Sequence, residues 1–90
     1  MVRDLDERRA TRKLAVAVLV DAIRDLEIDP DEYPKLRVEK RRELQKAIEF
    51  FERRDDVRFW AEFVDLDVDA VLSRMRPMLE AARKRLENGR

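Results

Sequence analysis

The stretch VRFWAEFVDLDVDAVLSRM (57–75) decides what kind of chain this is, and its middle, DLDVDAV (65–71), admits three readings. Aspartates alternating with apolar residues carry the period-two signature of a half-buried strand. No second strand pattern exists for it to pair with. Asp-x-Asp-x-Asp also opens an EF-hand loop, which needs glycine at its sixth position and a bidentate glutamate at its twelfth. Ala70 and Arg76 stand there instead, and a cation in place of the decisive ligand argues against calcium. In the third reading Asp67 caps a helix beginning at Val68, and Asp69 opposes the positive end of that helix's dipole. Asp65 then closes the preceding helix in the left-handed conformation, which aspartate tolerates better than most residues. Leu66 plugs the corner, and every aspartate has a local duty. This reading predicts two helices set across a short turn.

On the amino-terminal side of the turn, VRFWAEFV (57–64) is a short helix, with Asp55 and Asp56 available as caps. Val57, Trp60, Ala61 and Val64 line one face, Phe59 and Phe63 a neighbouring one, and Trp60 is the expected packing anchor. On the other side, Val68, Leu72, Met75, Leu79, Ala82 and Leu86 form a heptad-like seam that runs straight through Pro77. Either one kinked helix continues to about Asn88, or Pro77 opens a fifth helix after a break at Arg76.

Further upstream, Leu14, Val18, Ala22 and Leu26 recur at helical spacing within about 6–27. The run LAVAVLV (14–20) resembles a buried strand by composition, but charged helix formers before it and DAIRDLE after it continue a helical pattern. A helix apolar nearly all round at its middle is expected to be buried on several sides, at the centre of the domain. Asp29-Pro30 stops it, and DPDEYP (29–34) is the clear loop. A second helix follows over about 37–54, with Leu44, Ala47, Ile48 and Phe51 as its core face and Lys40, Arg41, Arg42 and Lys46 on the opposite surface. The expected fold is a single all-α domain over 1–90. It is a compact orthogonal bundle of four to five helices with a helix–turn–helix-like corner near 57–76. Fraying is expected in the first few residues and after about 87.

Composition narrows chemistry mostly by exclusion. The chain has 90 residues, no histidine, no cysteine, and one glycine, Gly89. It therefore lacks the usual acid–base and metal ligand near neutral pH, any thiolate nucleophile or disulfide, and any glycine-rich phosphate loop. Ser73, Thr11 and Tyr33 have no histidine to activate them. No catalytic residue, metal site or cofactor is expected. No run of about 18 apolar residues exists to span a membrane, and MVRDLDERRATRK lacks the apolar segment of a signal peptide, so the expected location is cytoplasmic. Charged residues make up 47% of the chain, balanced at 21 basic and 21 acidic. That balance withholds the global basic field of a dedicated nucleic-acid binder, and the ion-pair-rich composition fits a thermophile protein.

Ala61, Asp65 and Val71 have the spacing of a helix–turn–helix, with Asp65 where glycine is usual. Together with LAVAVLVDAIRDL (14–26) and AIEFFERRDDVRFWAEFVDLDVDAVLSRM (47–75), the arrangement resembles a family of short bacterial and phage proteins. The resemblance implies a small DNA-associated or regulatory protein and no catalytic residue. The corner's second helix offers Ser73, Arg74 and Arg76 to DNA, but Asp67 and Asp69 at its entering end repel phosphate. Basic segments elsewhere, with Arg8, Arg9, Arg12 and Lys13, and with Lys40, Arg41 and Arg42, suit phosphate contacts that read no bases. One expectation is thus a non-enzymatic regulator, dimeric, touching duplex DNA mainly at phosphates. Its rival is a protein–protein interaction module or dimeric adaptor, without nucleic acid, that docks through the seam Leu72, Met75, Leu79, Ala82 and Leu86 or through the aromatic cluster between Phe50 and Phe63.

Overall fold

A computed structural model, which describes residues 2–88 and side chains from Glu7 onward, contains four α-helices and no strand among the described residues. They are α1 (Val2–Leu26), α2 (Arg37–Glu52), α3 (Arg54–Glu62) and α4 (Val68–Asn88), with a 3-10 turn at Pro30–Glu32 between the first two. The all-α bundle is as expected. The expectation of frayed ends concerns segments that lie largely outside the described residues.

The core forms where α1, α2, α3 and α4 meet. Leu26, Leu44, Ala47, Ile48, Phe51, Val57, Met75 and Ala82 are buried together. α2 supplies four of them from the predicted face, and it packs against both α1 and α4. α1 ends before Asp29-Pro30, and its last carbonyls are claimed from the far end of the chain. The Arg85 guanidinium donates through Nε to the Ile28 carbonyl at 3.1 Å and through Nη2 to the Leu26 carbonyl. A cation there also meets the negative end of the helix dipole. Asp29 accepts from the Asp31 N–H at 3.1 Å, and Arg37 bridges to Asp31 at 2.8 Å, which ties the loop to the start of α2.

α2 and α3 share one joint residue. The Arg53 N–H donates to the Glu49 carbonyl at 3.1 Å, and its carbonyl accepts from the Asp56 N–H at 3.0 Å. α3 thus starts three residues earlier than predicted. Asp55 and Asp56 sit inside its first turn, facing the dipole, rather than ahead of it as caps.

The backbone of the corner matches the capped-turn reading, but Leu66, expected to plug it, is instead 50% exposed, because the buried positions beside it go to Val57, Ala61 and Met75. Leu66 N–H donates back to the Ala61 carbonyl at 3.0 Å and Asp65 N–H to the Glu62 carbonyl at 3.3 Å, the paired bonds of a Schellman ending. Asp65 holds φ 58°, alone among the described non-glycine residues in the left-handed region. Asp67 accepts from the Ala70 N–H at 3.3 Å and so caps α4. α4 then passes through Pro77 as one helix, because the ring lies on the exposed side, away from the buried Met75 and Ala82.

α1 departs from expectation. Ala15, Leu19 and Leu26 are buried, but Leu14 is 54% exposed, Val16 50% and Val20 38%. Only one face of α1 is covered, by α2, α3 and a little of α4, so it is a flank of the bundle and not its centre. The molecule is correspondingly drawn out, 53 × 28 × 15 Å. Its radius of gyration of 15.2 Å compares with about 12 Å for a typical domain of this length.

The left-handed residue generates a stability test. Asp65→Gly should raise the unfolding free energy by up to about 1 kcal/mol, and Asp65→Val should lower it by about 1–2 kcal/mol. Urea titrations of the three proteins would measure both.

Candidate interaction surface

Trp60 is not the central anchor. It is half-buried, stands outside the main core cluster, and packs instead with its neighbours on α3. Phe59 meets Trp60 edge-on at 5.0 Å and Phe63 edge-on at 5.3 Å, while Trp60 and Phe63 lie 6.2 Å apart. Such edge-to-face pairs hold each ring in place. The periodicity of α3 is the cause: Val57 and Ala61 take the fully buried positions, so the rings project onto flanking faces. Phe59 is 54% exposed, and Leu66, at the corner, is 50% exposed. Behind Leu66 lies an apolar groove of about 330 Å³, lined mainly by Leu19, Ile23, Phe51, Val71 and Met75. The polar edge of α3 beside Phe59 carries the Arg58–Glu62 pair at 3.1 Å.

At the corner, Ser73, Arg74 and Arg76 are exposed on α4, as read from the sequence. The acids at the entering end of α4 are engaged. Arg54 grips Asp69 at 2.6 Å, and its hydrogen bond and charge hold that carboxyl below the usual range. Arg12 reaches from α1 to Asp65 at 2.8 Å. This leaves Arg12 committed within the chain. Arg8, Arg9 and Lys13 remain exposed and bonded to no carboxylate among the described residues.

The basic face of α2 is also partly committed. Lys40 bridges to Glu43 at 3.2 Å and lies 4.8 Å from the centre of the Tyr33 ring. Arg41 does not face solvent: it is half-buried, and Nη2 donates to the Leu86 carbonyl at 2.8 Å, in the last turn of α4. A long side chain can lay its stem along apolar surface and carry its charge to a helix end, which a wheel of α2 alone does not reveal. Arg42 and Lys46 stay exposed.

The seam read as a dimer contact is occupied within the chain. Met75 and Ala82 are buried, and Leu72, Leu79 and Leu86 pack against the same core. Its periodicity reported the α4 core face. The aromatic cluster, the other docking surface read from the sequence, is the one left partly open, whereas the open flank of α1 was missed, because exposure depends on which partners a helix finds. A spare apolar flank on α1, wider than one packed face needs, was the available signal. Among the described residues no cluster of three or more carboxylates is placed to hold a metal ion, and no helix is long and apolar enough to cross a membrane.

No family model, curated protein or solved structure matches the chain.

One carboxyl on the α1–α2 boundary titrates abnormally. Burial raises Asp25, and the charges of Glu43 and Asp21 raise it further, against a smaller opposing pull from Lys40. Its carboxylate form is therefore disfavoured by folding. The native state holds the proton more tightly than the unfolded chain, so stability falls as pH rises from 3.8 through the raised folded value. Asp25→Asn should raise the melting temperature at neutral pH. That advantage should close below pH 3.8, as thermal melts across pH would record.

Proposed function

We propose that this chain is a small docking protein with no catalytic chemistry of its own, engaging another protein through the α3 aromatic face and Leu66. The observation that carries this is the Phe59–Trp60–Phe63 group, ordered by ring–ring contacts yet left outside the core with Phe59 54% exposed. Burying one such side chain contributes about 1.5–3 kcal/mol. Pre-ordered aromatic rings beside charged pairs supply the anchor and polar rim of a protein interface. Phe59→Ser with Phe63→Ser should leave the helical circular dichroism spectrum intact, because the main core lies elsewhere. Proteins cross-linked to the wild-type chain in its own cells should be lost with the double variant. Identical capture by both chains would sink the reading.

A second reading is a degenerate helix–turn–helix regulator that touches DNA phosphates. Asp65 at the turn, with φ 58°, takes the conformation for which such motifs use glycine, and Arg8, Arg9 and Lys13 are exposed cations. On this reading duplex binding at low salt is weak, falls steeply with added salt, and is abolished by replacing those three residues with alanine. Unchanged fluorescence anisotropy of labelled duplex at low salt removes it.

A further inference from the structure

We propose that the outer face of α1 is a contact between two copies of this chain, crossing antiparallel about a twofold axis at Ala17. This goes beyond the docking reading and uses a different helix, so the aromatic face stays open in the pair.

Ala10, Lys13, Leu14, Ala17, Val20, Asp21 and Arg24 follow one another around the exposed side of α1, and all are exposed. Leu14 and Val20 lie three residues either side of Ala17, and Lys13 and Asp21 lie four either side. In an antiparallel crossing, residues equidistant from the axis oppose each other. Leu14 therefore meets Val20 of the second copy, and Lys13 meets Asp21 of the second copy. A parallel crossing would set Lys13 against Lys13 and Asp21 against Asp21, which repel. The charge order of α1 is thus self-complementary in one orientation only, as a twofold contact requires. Ala17 at the crossing, with Ala10 along the same face, lets the helices approach closely.

The surface area points the same way. A folded monomer of this mass, 10.8 kDa, exposes about 5,500 Å², whereas this chain exposes 7020 Å². The surplus of about 1,500 Å² exceeds the ~800 Å² that each partner contributes to a standard interface. The α4 seam cannot supply that interface, because the chain's own core occupies it.

Sedimentation equilibrium from micromolar to submillimolar concentrations should show a species of twice the chain mass. Ala17→Arg should return it to the monomer with the helical spectrum unchanged. Lys13→Asp or Asp21→Lys alone should weaken association roughly tenfold, and the two together should restore it. The chain has no cysteine, so Ala17→Cys should form an intermolecular disulfide under mild oxidation far faster than Ala81→Cys on the exposed side of α4. Monomer mass at every concentration overturns the proposal, as does equal cross-linking of the two cysteine variants. A dimer that Phe59→Ser dissolves and Ala17→Arg does not also overturns it, by placing the contact on α3. Loss of the α1 contact with partner capture intact separates failure here from failure of the docking reading.

Discussion

Two hydrogen bonds, from the Leu66 and Asp65 N–H groups back to the Ala61 and Glu62 carbonyls, hold the arrangement of this molecule. They can form only because Asp65 enters the left-handed region, at a conformational cost that glycine would avoid. Once the chain has turned there, Val68 starts α4 in a direction that brings Met75 and Ala82 onto Leu44, Ala47 and Phe51. Without that turn the α4 seam has no core to join. The choice of aspartate also sets the electrostatics: Asp65 draws Arg12 from α1, and Asp69 draws Arg54 from α3. Local backbone geometry and cross-helix ion pairing therefore meet at one corner.

The corner was legible in the sequence because its determinants are local. A cap, a left-handed residue and a first-turn acid act within a few residues of one another, and DLDVDAV spells them out. The core face of α2 and the continuity of α4 past Pro77 were readable for the same reason, since both follow from spacing along one helix. The surfaces were not readable in the same way. LAVAVLV announces apolar side chains, but whether they are covered depends on how many helices reach α1, and too few do. Arg41 and Arg85 look like solvated cations in sequence. They serve as donors to carbonyls 45 and 57 to 59 residues away, a separation no local pattern encodes.

These long-range arginines also explain how a small bundle with little glycine and short connections closes its helix ends. A helix leaves its final carbonyls without internal partners. Here α1 receives a guanidinium from α4, and α4 receives one from α2. Each guanidinium adds charge-assisted bonds at the place where the helix dipole favours a cation. The bundle is thereby fastened at one end, around the carboxyl termini of α1 and α4. Away from that end, the middle of α1 and the ring group of α3 keep apolar side chains open, among them Leu14, Val16 and Phe59.

The Arg85 contacts bear on how the chain is made. α1 is synthesised first, yet its carboxyl end stays unclosed until translation has passed residue 85, and its covered face waits for α2 and α3. Until α2 and α3 follow, the aliphatic middle of α1 has no helix to pack against. Folding of this domain is therefore completed after most of it has left the ribosome.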